Sequence, residues 1–313
     1  MNLPKKVRLC EVGLRDGIQN EKTILTTEQK LILAKAIIDE GFKVIELGSF
    51  MNPKAVPQTA DTDELYKRLG DVEGVDLRAL SANLKGVERA AACGCKKVKL
   101  NVSASRAHNI ANLNMTPEES VAKFKSCCDL AGEKGIAISG SISMPFGSPW
   151  EHDIPFSDVC AIIEAYLGVG ITEISLSDAS GMAVPNQVFR ICSDVKAKYP
   201  QVKWWLHFHN TRGVAMANIV AAMQAGITQF DSSFGGLGGC PFVPGAAGNI
   251  ATEDAAHMLM EMGVETGLDT LKCIETAKLV REMVGHPSDS YLIKAGRSKD
   301  LNLELPKKQV IKK

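Results

Sequence analysis

Two histidines, His207 and His209, stand two residues apart in a strand-forming run, Lys-Trp-Trp-Leu-His-Phe-His (203–209). Side chains at i and i+2 of a strand project to one face, so both imidazoles point the same way. As core filler each ring would need hydrogen-bond partners; facing a cavity, the pair can hold a cation. Two further donors fall at the ends of other strand-like runs, the Asp16 carboxylate and the Asn249 amide. Two imidazoles, a carboxylate and an amide oxygen make a mixed nitrogen–oxygen site that leaves room for water or substrate oxygens. Such a set suits Mg²⁺ or Mn²⁺, with Zn²⁺ a third choice because no thiolate is required.

Other polar residues cluster with these in the sequence. Arg15 next to Asp16 would ordinarily be a surface ion pair of little consequence. Fixed at the mouth of a barrel, its guanidinium can instead stabilise a developing enolate or a substrate carboxylate. Glu46 and Asp178 end two more strand-like runs. They serve either as helix caps or as carboxylates that deprotonate a substrate hydroxyl or orient water. Cys240 follows Gly235-Gly-Leu-Gly-Gly239. A lone cysteine is usually an inert small apolar group, but on a glycine-rich, mobile backbone its thiol can close over a substrate and carry a proton. The same glycines lack the strand–GxGxxG–helix setting of a dinucleotide site, and no Lys-Ser/Thr of a phosphate loop follows them.

The elements that must position these groups alternate along the chain. Strand-like runs cover 7–12, 43–47, 76–81, 97–102, 136–143, 173–177, 203–209 and 229–231, and helical spacing covers 27–40, 84–92, 117–134, 156–168, 185–198, 214–224 and 250–262. Thr26 or Thr27 and Thr116-Pro-Glu-Glu119 look like helix starts, and glycines follow several helices (Gly41, Gly94, Gly135, Gly170, Gly226, Gly263). Eight such repeats predict an α/β fold, a (β/α)₈ TIM barrel with a short C-terminal helical extension. Residues 1–267 are read as the catalytic barrel. Residues 268–313 are read as a helix (268–284) and a tail packed on it, not an independent domain. In a TIM barrel the active site is built at the C-terminal ends of the strands, where the polar residues above fall.

Composition narrows the partners. The 313 residues carry 36 basic and 36 acidic side chains, a net charge of zero, which argues against nucleic acid and anionic membrane as ligands. At 45% apolar and 5% aromatic residues, the core must be filled mainly by aliphatic side chains. Nine cysteines without a regular framework read as reduced thiols. No apolar stretch approaches the roughly 20 residues of a membrane span, and Met1–Val7 lacks a signal-peptide core. A cytoplasmic protein is the expectation, and a homodimer is compatible with a barrel of this kind.

Five segments resemble the 3-hydroxy-3-methylglutaryl-CoA lyase family, within the wider group of metal-dependent barrel lyases and isopropylmalate-synthase-like enzymes. They are Glu-Val-Gly-Leu-Arg-Asp-Gly-Ile-Gln-Asn-Glu (11–21), Val-Ile-Glu-Leu-Gly-Ser-Phe (44–50), His-Phe-His-Asn-Thr-Arg-Gly (207–213), Gly-Gly-Leu-Gly-Gly-Cys-Pro-Phe (235–242) and Gly-Ala-Ala-Gly-Asn-Ile-Ala-Thr-Glu-Asp (245–254). The resemblance implies a divalent metal on Asp16, His207, His209 and Asn249, enolate stabilisation by Arg15, proton transfer by Cys240, and assistance from Asp178 and Glu46. It implies an acyl-CoA substrate, cleaved from 3-hydroxy-3-methylglutaryl-CoA to acetyl-CoA and acetoacetate. The chain departs from the family pattern at Leu14, Asn210, Ser177–Gly181 and Ser143–Glu151, which opens a related 3-hydroxyacyl-CoA as substrate. A Claisen-type synthase joining acetyl-CoA to a 2-oxo acid is the alternative reading.

Overall fold

A computed structural model describes residues 3–239 and 247–300. Eight strands, β1 (Arg8–Glu11), β2 (Val44–Ser49), β3 (Asp76–Ser81), β4 (Lys97–Ser103), β5 (Ala137–Ser143), β6 (Glu173–Asp178), β7 (Lys203–Phe208) and β8 (Gln229–Ser232), pair in chain order into a closed barrel. All pairs are parallel, and β8 closes on β1 in the register Arg8–Gln229 to Glu11–Ser232. The predicted strands match these within a few residues, and the TIM barrel is the observed fold.

The helices follow in order as α1 (Thr27–Asp39), α2 (Thr62–Leu69), α3 (Leu84–Cys93), α4 (Arg106–Leu113), α5 (Pro117–Ala122), α6 (Phe124–Glu133), α7 (Phe156–Gly168), α8 (Pro185–Lys198), α9 (Ala215–Gln224), α10 (Thr252–Glu261), α11 (Thr270–Val284) and α12 (Tyr291–Ala295). Thr26 and Thr116 close full capping boxes with Gln29 and Glu119, which satisfies helix N-terminal N–H groups that would otherwise be unpaired. Helix α4 escapes the periodicity reading for a physical reason. The buried side of α4 is His108 and Asn109, while its Ile110 is exposed, so it has no apolar stripe. Residues 117–134 form two helices rather than one, divided at Lys123.

Strand side chains alternate between two layers. Outward residues such as Leu100, Val102, Leu176, Leu206 and Phe230 join the large apolar sheath under the helices. Each fully buried side chain of this kind contributes about 1.5–3 kcal/mol. Inward, Cys10, Val12, Val44 and Trp205 form a separate small cluster, and Arg78 lies 5.0 Å from the Trp205 ring centroid. Above this floor the barrel interior turns polar.

The segment after the barrel packs back on it. Helix α11 lies against α1 and α10. The Asp254 carboxylate on α10 accepts bonds from Ser290 Oγ (2.9 Å), Tyr291 N (2.8 Å) and Leu292 N (2.8 Å), which fixes the start of α12. Asp254→Ala leaves those donors without their acceptor and is expected to lower stability by about 1–3 kcal/mol. A urea midpoint equal to that of the parent protein would show that these bonds carry no stability.

Candidate functional site

The site begins where β1 ends. Glu11 is fully buried and accepts from Gly13 N (2.7 Å), Phe234 N (3.1 Å) and Thr252 Oγ1 (2.6 Å), tying β1 to the chain after β8 and to α10. The backbone then makes one π-helical turn, Gly13–Gly17, a geometry frequent at functional sites. Gly13 is required there, since a Cβ would lie 2.5 Å from the Phe234 ring. The turn sets Arg15 and Asp16 at the mouth of the barrel, both buried. Across from them, His207 and His209 face the same cavity from β7 and the residue just past it.

Three electron-rich atoms meet. Asp16 Oδ2 lies 3.4 Å from His209 Nε2 and 3.8 Å from His207 Nε2, and the two Nε2 atoms are 3.1 Å apart. Among the described residues, Asp16, His207 and His209 form a candidate metal site. The donor chemistry fits a cation. His207 Nδ1 faces Asp231 Oδ2 at 3.2 Å, an arrangement that keeps the proton on Nδ1 and leaves the Nε2 lone pair free to ligate. The 3.1 Å contact between the two Nε2 atoms beside a carboxylate can be bridged by a proton on His209 or by a cation that both nitrogens ligate. Burial opposes the charge on Asp16, but the Arg15 guanidinium and the two histidines hold its carboxyl well below the usual range.

Asn249 is brought in by the chain after the glycine-rich loop, which bridges to His209. Its Nδ2 donates to Asp16 Oδ2 (2.6 Å) and to the Leu237 carbonyl (3.0 Å). Asn249 thus stands beside Asp16, with its amide nitrogen turned to the carboxylate.

The remaining expected residues fall in three places. Arg15 lines the cavity and pairs with Asp16 and, through Nε at 2.6 Å, with Glu46 Oε2. Glu46 is fully buried and does not line the cavity. Burial would raise its pKa, but Arg15 and Lys99 pull it down to about 2, so it is a fixed anion beneath Arg15. Asp178 shares strand parity with the outward-facing Ile174 and Leu176. Its carboxylate accepts from Ser180 Oγ (2.9 Å), Met182 N (3.1 Å) and Ala183 N (3.0 Å), and it too is absent from the cavity wall. These bonds hold the 180–183 loop ahead of α8. Cys240 lies outside the described residues.

Two buried charges that pair with these residues, Lys99 on β4 and Asp231 on β8, were not singled out from the sequence. The cavity wall also includes Ser81, Asn101, His108, Ser141, Ser143 and Ser177, a band of neutral polar groups from β3 to β6 and the loops beyond them. In the divergent stretch 143–151, Glu151 accepts from Ser105 Oγ (2.6 Å) and Ala107 N (2.9 Å), which seats the start of α4 and hence His108. Burial pushes the His108 imidazole down to about 4, so this ring meets the cavity uncharged at neutral pH.

Comparison with known proteins gives a consistent result. Residues 6–280 match the HMGL-like family model. A hydroxymethylglutaryl-CoA lyase of Bacillus subtilis is 39% identical over 298 residues, 95% of this chain and 100% of that protein. The mitochondrial hydroxymethylglutaryl-CoA lyase of Homo sapiens is 37% identical over 293 residues, 94% of this chain and 90% of that one. Among solved structures, an HMG-CoA lyase from Acinetobacter baumannii in complex with coenzyme A and 3-methylmalate superposes with a TM-score of 0.92 at 39% identity, covering 96% of this chain and 98% of that chain. Among the described residues no helix is long and apolar enough to cross a membrane.

The two histidines with shifted pKa values make a test of the cavity's burial. With a folded pKa of about 4 against 6.5 when unperturbed, His108 contributes stability that is full above about pH 6.5 and is lost as pH falls towards 4. Its C2 proton in an NMR titration should stay unchanged from pH 8 to about 5.5. His286, raised by its bonds to the Pro287 carbonyl and Glu21, should titrate above pH 6.5. A His108 signal that moves near pH 6.5 would contradict the buried placement.

Proposed function

The chain belongs to the HMGL-like family, and on that footing we propose that it is a divalent-metal-dependent lyase that cleaves a carbon–carbon bond of 3-hydroxy-3-methylglutaryl-CoA, or of a close 3-hydroxyacyl-CoA. The products are acetyl-CoA and an oxo acid, acetoacetate for the first substrate. The observation that carries this reading is the convergence of Asp16, His207 and His209 in one barrel-mouth cavity, in a chain whose relatives named as such lyases align over nearly all of its length. That the Acinetobacter baumannii structure is a complex with coenzyme A and 3-methylmalate, a small branched hydroxy diacid, fits a substrate of this class. The relatives reported above are named lyases, which favours cleavage over condensation of acetyl-CoA with a 2-oxo acid.

In this reading Asp16, His207, His209 and Asn249 would hold Mg²⁺ or Mn²⁺. Bound there, the ion would polarise the substrate's hydroxyl and neighbouring carbonyl and lower the pKa of the hydroxyl. Arg15 faces the cavity already fixed by Asp16 and Glu46, so its remaining N–H groups can stabilise the thioester enolate without reorganising at the moment of reaction. Glu46 acts through Arg15, and Asp178 acts through the 180–183 loop that it holds. Cys240 carries the proton that ends on the methyl carbon of the departing acetyl group. The cysteines, unpaired among the described residues, and the balanced charge suit a cytoplasmic enzyme.

The direct test is a Mn²⁺- or Mg²⁺-supplemented assay across several 3-hydroxyacyl-CoA thioesters, following acetyl-CoA and acetoacetate. Cleavage that stops on chelation and returns with metal is expected, and no cleavage of any thioester by the metal-replete protein would overturn the reading. Asp16→Asn should lower metal occupancy, read by elemental analysis after dialysis; full occupancy would remove Asp16 from the ligand set. Cys240→Ser should keep full metal occupancy while turnover falls by about 10²-fold or more, the range of a lost proton-transfer group. Undiminished turnover would exclude Cys240 from the chemistry.

A further inference from the structure

Beneath the cavity, three strands contribute buried charges that close a ring. Lys99 Nζ, from β4, crosses the barrel interior to pair with Glu46 Oε1 on β2 and, at 3.4 Å, with Asp231 Oδ2 on β8. The same Asp231 oxygen lies 3.2 Å from His207 Nδ1. On the other side, Glu46 Oε2 takes the bond from Arg15, and Arg15 pairs with Asp16. Asp16 in turn faces His207 Nε2 at 3.8 Å. Every member of this ring is buried.

We propose that Lys99 and Asp231 are positioning residues for the metal site: Asp231 fixes which ring nitrogen His207 turns to the ion, and Lys99 locks Asp231 to Glu46, so that His207 and Arg15 are set as one unit. The inference rests on the metal-lyase reading above and extends it to two residues that do not line the cavity.

Three physical points carry it. First, an imidazole ligates through a deprotonated nitrogen, and the group bonded to its other nitrogen decides which one that is; such outer partners tune metal affinity and activity by 10–100-fold. Second, the interior at this level is an expensive place for charge. Aliphatic side chains would fill it at no desolvation cost, and a buried ion pair is by itself weak evidence of a stabilising role. The ring's geometry accounts for the charges, because each one ends on a group of the candidate site. Third, the ring is not neutral. Its two cationic side chains (Arg15, Lys99) face three carboxylates (Asp16, Glu46, Asp231), leaving one negative charge on the ring as a whole. That excess favours a cation there. Lys99 limits it to one charge and separates the Glu46 and Asp231 carboxylates, which would otherwise repel each other.

The test uses the metal-free full-length protein titrated with Mn²⁺, free ion being read from its aqueous EPR signal with no substrate present. Asp231→Asn should weaken Mn²⁺ binding by about 10–100-fold. At saturating Mn²⁺ its kcat should fall while KM for the thioester stays near the parent value. Lys99→Met should move both readouts the same way, and Lys99→Arg, which restores the cation, should recover part of the loss. A folded Asp231→Asn protein with the parent Mn²⁺ affinity and kcat would overturn the proposal. A parent protein that binds no Mn²⁺ would remove the metal reading itself, and this inference with it. If Asp231→Asn does not fold, the parent decides the matter: ¹⁵N-histidine NMR should find the His207 proton on Nδ1, and a proton on Nε2 would overturn the assignment to Asp231.

Discussion

Two imidazole nitrogens 3.1 Å apart beside a carboxylate oxygen, with the His207 proton drawn to Nδ1, must share either a proton or a bound cation. That constraint organises the upper half of the barrel. Asp16 needs the π-helical turn after β1, and the turn needs Gly13 and the three bonds that Glu11 accepts. The histidines need the two-residue period of β7. The chain between β8 and α10 must return alongside β7 so that Asn249 meets His209. The surrounding charges, Arg15 and Lys99 against Glu46 and Asp231, are placed where they bear on those three atoms.

Much of this is legible in the sequence because it rests on periodicity. Trp205, His207 and His209 are spaced so that all three must share a face, and alternation of short strand-like and longer helical runs fixes the eight-fold repeat before any contact is known. Asp16 stands out because it follows a strand-like run and precedes a glycine, a setting that puts a polar side chain at a barrel mouth. Arg15, beside it, inherits the same position.

What the sequence conceals depends on direction and distance rather than type. Asp178 ends β6 as His207 nears the end of β7, but its parity is that of Ile174 and Leu176, so it turns to its own loop. Glu46 has inward parity yet lies too deep to line the cavity, and spends its charge on Arg15 and Lys99. Lys99 sits in Lys-Val-Lys-Leu-Asn, a pattern that in a one-faced sheet would place it in solvent; only closure of the barrel turns that face inward. Its partners come from β2 and β8, far away in sequence, and no spacing rule connects them. Helix α4 is hidden for a related reason, since its buried face is polar.

The family assignment and the geometry meet at the same atoms: a chain of the HMGL-like family gathers Asp16, His207 and His209 at one cavity, with Arg15 on its wall. The most direct measurement of that claim is the anomalous diffraction of a Mn²⁺-soaked crystal. The account predicts one strong peak within about 2.0–2.3 Å of Asp16 Oδ2, His207 Nε2 and His209 Nε2, the range of such metal–ligand bonds. A peak elsewhere on the protein, or none at a Mn²⁺ concentration that supports turnover, would contradict it.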